Sequence, residues 1–211
     1  MADDRAAALA FIGADSRMEA RFDTYVDLLA RWRKATNLIS ESAFFQVWAR
    51  HIADSAQLLA FAPLARRWVD LGSGAGFPGM VIAIQLAEIE GAEVHCIESD
   101  QRKCAFLRAI ARATAAPAHI HAARIETLDP AMLKPVHAVT ARALAPLPDL
   151  LGLARPWLTR RAVGIFPRGR SEALTEPFSE ASEFRFESLP SKLDRNARIV
   201  RVAVADRDRS A

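Results

Sequence analysis

Short apolar segments alternate with helical patterns over most of the chain after residue 66. This alternation is typical of a doubly wound, mostly parallel sheet with helices on both faces. Two later segments of alternating polarity predict an antiparallel hairpin at the sheet edge, which gives a Rossmann-like α/β fold with seven strands. The predicted strands are 68–71, 93–98, 118–122, 136–141, 162–166, 184–189 and 199–205, and the predicted helices between them are 78–90, 100–110 and 149–158.

Two amphipathic helices are predicted ahead of the sheet. The first has capping-box spacing at residues 16–19, and the second spans 44–61 and stops before Pro63. The predicted apolar stripes are Phe22, Tyr25, Leu29 and Trp32 on the first helix, and Phe45, Trp48, Ile52 and Leu59 on the second. With no linker-like segment in between, we expect one domain over residues 1–211, with a helical layer at 1–64 and the Rossmann-like core at 65–211.

The composition is that of an ordinary globular protein, with 51% apolar and 25% charged residues. A formal net charge of +3 does not by itself indicate a nucleic-acid partner. Most of the 28 basic residues are arginines. Arginine suits phosphate recognition, although a GC-rich genome would enrich it equally.

The sequence also bears on the cellular compartment. The chain starts with an acidic segment unlike a signal peptide, and no apolar run approaches the roughly 20 residues of a membrane span. The two cysteines, Cys96 and Cys104, form no metal-binding motif. We therefore expect a cytoplasmic protein with reduced thiols and no membrane partner.

The glycine-rich run at 69–79 carries the strongest functional signal. A strand that enters such a turn and continues into a helix brings bare backbone close to a ligand, and Gly72 and Gly74 belong to this turn. Residues 74–79 also match the dinucleotide fingerprint, which is weak alone. Because the Asp70 carboxylate would repel a pyrophosphate and attract an ammonium, the run favours S-adenosylmethionine over NAD.

Other candidate ligands of the donor follow the predicted strands. Glu98 ends the second strand, where an acid would accept hydrogen bonds from ribose hydroxyls. Ile125 is expected to pack on adenine, and Glu126 to hold its polar edge. Arg142 ends the fourth strand and is expected to point into the same cleft.

Missing motifs narrow the chemistry. Enzymes that methylate exocyclic amino groups commonly have a polar residue, two prolines and an aromatic residue after the fourth strand, and the segment 140–143 does not match this motif. Methylation of a pyrimidine carbon needs a cysteine nucleophile, and neither cysteine is placed to act as one. Guanine N7 has a free lone pair and needs no general base, so N7 methylation is permitted and no catalytic residue is assigned. His119 and His121 lack a third ligand, and we expect no metal site.

Basic residues are predicted at the edge of the cleft. Arg50 and His51 lie on the second helix, and Arg168 and Arg170 flank Gly169 after the fifth strand. They could contact RNA phosphates or could equally belong to a solvated face.

Several ordered motifs resemble the ribosomal RNA small-subunit methyltransferase G family, also called the glucose-inhibited division protein B family. The matching segments are 32–38, 50–55, 69–79, 124–126, 142–143 and 166–170. The resemblance implies a class I S-adenosylmethionine-dependent fold and methylation of N7 of a guanine in the 530 loop of 16S rRNA. It also implies donor contacts at Gly72, Phe77, Ile125, Glu126 and Arg142. Arg168 stands where the family usually has lysine, so a planar guanidinium replaces a compact ammonium there.

Three functions therefore remain open. The sequence favours a methyltransferase that acts on 16S rRNA, in the small subunit or an assembly intermediate, and we expect it to be a monomer. An NAD-linked dehydrogenase is supported only by the literal glycine pattern. An RNA-binding assembly factor with an inactive donor pocket would share the same motifs.

Overall fold

A computed structural model describes residues 2–169 and 183–205 of the chain. Its centre is a single sheet of seven strands in the order β3-β2-β1-β4-β5-β7-β6. The strands are β1 Arg67–Leu71, β2 Glu93–Glu98, β3 Ala118–Ala122, β4 Ala138–Thr140, β5 Val163–Arg168, β6 Phe184–Pro190 and β7 Arg198–Val204.

The pairing of the strands confirms the predicted seven-stranded, mostly parallel sheet. Strands β1 to β5 run parallel to one another, and β7 pairs antiparallel with both β5 and β6. The strand order reverses between β1 and β4, and ligands of open α/β sheets bind at the carboxyl ends of the strands at such a switch point.

Helices cover both faces of the sheet. They are α1 Ala2–Ile12, α2 Ser16–Thr36, α3 Glu41–Phe45, α4 Asp54–Ala56, α5 Gly79–Gln85, α6 Gln101–Thr114 and α7 Leu147–Leu158. The N-terminal helices pack with α5 and α6 on one face, while α7 packs on the other. Successive residues of β1 face opposite sides, so Trp68 enters the first core and Val69 the second.

The predicted stripe on α2 is confirmed, because Phe22, Tyr25 and Leu29 are fully buried. Its predicted cap is wrong by one residue. Asp15 rather than Ser16 accepts the hydrogen bond from the Met18 amide. Both residues are good N-caps, and spacing to Glu19 alone does not choose between them.

The continuous helix predicted over 44–61 is wrong. The structure has α3, a π-helical segment Val47–Ala53, the short α4 and a 3₁₀ turn Gln57–Phe61. The wider π-helical turn shifts the buried face, so Phe44 is buried while Phe45 is 57% exposed. A prediction that assumes 3.6 residues per turn cannot follow this change of period.

The other boundaries shift less. The helix predicted over 78–90 ends at Gln85, and β4 is shorter than the predicted 136–141. Helix α1 was not predicted, although its run of alanines is a good helix former. The predicted cap of α6 is confirmed, because Asp100 accepts from the Arg102 and Lys103 amides.

None of the helices within the described ranges is both long enough and apolar enough to cross a bilayer.

Candidate functional site

A cavity of about 520 Å³ opens at the carboxyl ends of the central strands. All seven residues that the sequence proposed as donor ligands line it: Gly72, Gly74, Phe77, Glu98, Ile125, Glu126 and Arg142. The fold therefore brings together segments that lie up to 70 residues apart in sequence, counted from Gly72 to Arg142. Their individual contacts with a ligand stay predictions.

The turn after β1 follows a course that requires glycine. Gly72, Gly74 and Gly76 all have positive φ, at 68°, 54° and 93°. The turn is closed by a hydrogen bond of 2.7 Å from the Gly76 amide to the Ser73 carbonyl. Helix α2 supports it from behind, since the buried Tyr25 hydroxyl donates to the Ala75 carbonyl at 2.6 Å.

Two carboxylates accept hydrogen bonds from backbone amides in and near this turn. The Glu98 carboxylate accepts hydrogen bonds from the Gly74 amide at 2.9 Å and the Asp100 amide at 2.8 Å. The Asp70 carboxylate accepts from the Gly79 amide at 3.1 Å, at the start of α5. A dinucleotide site would offer such amides to a pyrophosphate, and an acid already placed there disfavours a second anion.

Asp70 does not play the role that the sequence suggested. It is 1% exposed and is absent from the cavity wall, so its carboxylate cannot meet a ligand ammonium directly. Burial raises the pKa of Asp70 to about 7. The acid supports the backbone beneath the turn, and the carboxylate at the cavity is Glu98.

Arg142 joins the sheet to the N-terminal layer. Its guanidinium donates to Nδ1 of His51 and, at 3.1 Å, to the Arg50 carbonyl in the π-helical segment. Asp54 lies 3.8 Å from the same guanidinium, which also stands 5.2 Å from the centre of the Phe77 ring. Arg142 is thereby held in one orientation at the cavity wall.

His51 is partly buried and packs against residues of the cavity wall. Its ring stacks on Phe77 with centroids 4.8 Å apart. Burial and the neighbouring Arg142 charge lower the pKa of His51 to about 4. The imidazole is neutral at physiological pH and accepts a hydrogen bond from Arg142, which helps to position that arginine. Its contact with RNA stays a prediction.

The other predicted RNA contacts differ in their exposure. Arg50 is exposed, as an RNA contact requires. Arg168 is only 7% exposed and donates to the Ala145 carbonyl at 3.2 Å, contrary to the expectation of a solvent-facing arginine. It supports the loop that follows β4. Arg170 lies outside the described residues.

Sequence reasoning missed several residues of the site. Leu38 and Ile39 line the cavity from the loop after α2, and Lys103 and Leu144 also contribute. Asn37 ends α2 in a left-handed conformation, with φ 48°. An asparagine at the end of a helical pattern signals such a turn, but it does not reveal which cavity the turn approaches.

The remaining candidate chemical groups lie away from the cavity. Cys96 and Cys104 are fully buried, and burial raises the pKa of both thiols. Among the described residues, neither is part of the cavity wall, and no cluster of three potential ligands could hold a metal ion. His121 instead lies 3.0 Å from His95, and His119 stacks on that same ring.

Solved structures with the same fold have low sequence identity. A variant of MtNAS in complex with S-adenosylmethionine aligns over 96% of this chain and 84% of its own, with a TM-score of 0.55 and 17% identity. A proposed O-methyltransferase from Klebsiella pneumoniae aligns over 97% of both chains, with a TM-score of 0.59 and 14% identity. These similarities establish the Rossmann-like fold of class I methyltransferases.

Sequence comparisons give the family. The model of rRNA small subunit methyltransferase G matches residues 18–188. The chain is 48% identical to ribosomal RNA small subunit methyltransferase G of Methylorubrum populi, over 88% of each chain. It is 50% identical to the Nitrobacter winogradskyi protein of that name, over 80% of this chain and 61% of that longer relative. The chain therefore belongs to the rRNA small subunit methyltransferase G family.

Proposed function

We propose that this protein transfers a methyl group from S-adenosylmethionine to N7 of a guanine in the 530 loop of 16S rRNA. One observation carries the proposal. The cavity at the strand-order switch point has a glycine turn whose Gly74 amide is occupied by the Glu98 carboxylate. This combination suits a nucleoside with a cationic amino acid end better than a dinucleotide with a pyrophosphate.

The residues present fit the donor. The left-handed Gly72 and Gly74 leave bare backbone at the cavity wall, and each Glu98 oxygen keeps lone-pair capacity for a ribose hydroxyl. Ile125 offers an apolar contact for adenine and Glu126 a polar one. Arg142 and Phe77 also line the cavity. Arg142 is suited to a carboxylate of the donor, because its planar fork donates in pairs.

When bound, S-adenosylmethionine supplies an electrophilic methyl on a positively charged sulfur. Guanine N7 would attack this methyl with its own lone pair while the methyl–sulfur bond breaks and its electron pair stays on the sulfur of S-adenosylhomocysteine, so no side chain has to remove a proton. This agrees with a cavity whose described wall contains no cysteine or histidine. The protein contributes alignment of the two reactants and exclusion of water.

Alignment depends on side chains that pack against one another at the cavity wall. Phe77 lies between the rings of Tyr25 and His51, at 5.3 Å and 4.8 Å between centroids. Arg142 packs against the same ring. This stack supports one wall of the cavity from behind, so a base that enters from the N-terminal layer meets a preformed cationic surface at Arg142.

The substrate is RNA of the small subunit, either assembled or in an assembly intermediate. The exposed Arg50 beside the cavity provides a contact for its backbone. We also propose that the protein acts as a monomer in the cytoplasm. Residues 1–211 then form one domain.

Two alternatives make different predictions. A dehydrogenase would bind NADH, which the carboxylates at the turn disfavour. An assembly factor without activity would bind S-adenosylhomocysteine or RNA but would transfer no methyl group.

Equilibrium dialysis against S-adenosylhomocysteine and NADH distinguishes the proposed methyltransferase from a dehydrogenase. We expect binding of S-adenosylhomocysteine only, and tight NADH binding alone would contradict the proposal. A second assay distinguishes the methyltransferase from an inactive assembly factor. It measures transfer of a tritiated methyl group to small subunits that were purified from a strain lacking this protein. We expect label in the rRNA, whereas binding without label would support the assembly factor.

A further inference from the structure

A buried glutamine links the donor cavity to the connection between β6 and β7. Gln57 is 3% exposed. Its Nε2 donates to Asp54 at 2.7 Å and to the Ser191 hydroxyl at 3.1 Å, and its Oε1 accepts from the Lys192 amide at 2.8 Å. The other oxygen of Asp54 faces Arg142 at 3.8 Å. A continuous polar chain thus runs from the cavity wall to residues 191–197.

We call residues 191–197 the hairpin loop. The Ser191 hydroxyl accepts from the amides of Leu193 and Asp194, at 3.2 Å and 3.3 Å. The Asp194 carboxylate accepts from the Asn196 amide at 3.0 Å. The loop is therefore a defined structure, in which the acidic side chain serves the local turn.

The strand register puts the hairpin loop at the functional edge of the sheet. Arg168, at the carboxyl end of β5, pairs with Arg198, at the start of β7. The loop that precedes β7 consequently lies at the same edge as the cavity. Lys192, Leu193 and Arg195 are exposed on it, and Arg50 is exposed on the neighbouring π-helical segment.

We propose that the hairpin loop is a contact for the RNA phosphate backbone, with Lys192 and Arg195 pairing with phosphates and Gln57 holding the loop in register with the cavity. This inference rests on the proposed function, since it assumes an RNA substrate. Exposed cations on an ordered loop lose less conformational freedom on binding than cations on a free segment. The polar chain through Gln57 and Asp54 fixes their position relative to Arg142.

The test measures binding of small subunits, purified from a strain lacking this protein, to the full-length chain at several salt concentrations. For the double variant Lys192→Ala and Arg195→Ala we expect a Kd roughly tenfold higher, and a salt slope lower by roughly 1.4, as for two lost phosphate contacts on a single strand. The affinity for S-adenosylhomocysteine should not change.

A matched control removes two positive charges at the edge of the sheet opposite the cavity. Arg112 lies in the last turn of α6 and Arg160 follows α7, and both are exposed there. The double variant Arg112→Ala and Arg160→Ala should bind small subunits like the wild type. Equal losses in both double variants would mean that net charge alone sets affinity, and would overturn the inference.

Gln57→Ala tests the link itself. We expect weaker small-subunit binding, and little further loss when Lys192→Ala and Arg195→Ala are added, because residues acting as one unit are not additive. Full additivity in a folded variant would contradict the coupling. If the wild type methylates rRNA and the Lys192→Ala and Arg195→Ala variant binds small subunits normally, only this inference is refuted. If the wild type neither binds RNA nor transfers a methyl group, the proposed function is refuted.

Discussion

Arg142 donates a hydrogen bond to Nδ1 of His51, and this contact ties the central sheet to the N-terminal helical layer. The accepting nitrogen is unprotonated, in agreement with the pKa of about 4 that burial and Arg142 give to His51. The π-helical backbone adds the Arg50 carbonyl as a second acceptor. Three elements distant in sequence thereby hold one arginine at the cavity wall.

Removing this arginine should weaken donor binding. For Arg142→Ala we expect the Kd for S-adenosylhomocysteine to rise at least roughly tenfold, about 1.4 kcal/mol, measured by calorimetry. Arg50→Ala is the control, because only the backbone of Arg50 contacts Arg142. Unchanged donor affinity in Arg142→Ala would remove that residue from the donor site.

Arg168 offers a prediction that differs from the sequence-based expectation. Arg168→Ala removes the donor to the partly buried Ala145 carbonyl, and losing such a hydrogen bond costs about 0.5–1.5 kcal/mol. Since the loop it supports carries Arg142 and Leu144, we expect lower thermal stability and weaker donor binding. The salt slope of RNA binding should stay as in the wild type, and a lower slope with normal donor affinity would instead indicate a phosphate contact.

Asp70 should make stability depend on pH. Its pKa rises from 3.8 unfolded to about 7 folded, so the folded state holds a proton that the unfolded state loses above pH 3.8. Stability from this group therefore falls as the pH rises from about 4 to 7. The lowered pKa values of His51 and His95, each about 4, act in the opposite direction over pH 4 to 6.5.

Asp70→Asn isolates this effect, because the histidines contribute equally in both proteins. Denaturant unfolding should show that the variant gains stability relative to wild type between pH 5 and pH 8. An asparagine oxygen can still accept from the Gly79 amide, and donor affinity should be retained. A stability difference independent of pH would mean that Asp70 has an ordinary pKa.

Two glycines should respond oppositely to alanine. A Cβ on Gly76 would meet Met80 and the Tyr25 hydroxyl at 2.7 Å, and its φ of +93° is strained for alanine. We expect Gly76→Ala to lose about 1–3 kcal/mol of unfolding free energy or more, together with donor affinity. Gly152 is helical and exposed with open space around it, so Gly152→Ala should gain about 0.5–1 kcal/mol. Similar effects of both changes on thermal melting would contradict the assigned role of the turn.

The fold was predictable where periodicity and local chemistry agree. Strands β2 and β3 have the predicted bounds, and the glycine turn lies where the run at 69–79 placed it. The break at Val47–Ala53 was not predictable, because hydrophobic spacing assumes an ordinary helix. Arg142 was identified as a residue at the pocket, but its partners Asp54 and His51 come from another layer, and tertiary packing alone brings them together.

Mapping the modified nucleotide identifies the atom that receives the methyl group. Small subunits from a strain lacking this protein can be incubated with the enzyme and S-adenosylmethionine, and the rRNA digested and mapped by mass spectrometry. We expect one new 7-methylguanosine, in the 530 loop of 16S rRNA. Unmodified rRNA, or a methyl group on another atom or base, would contradict it.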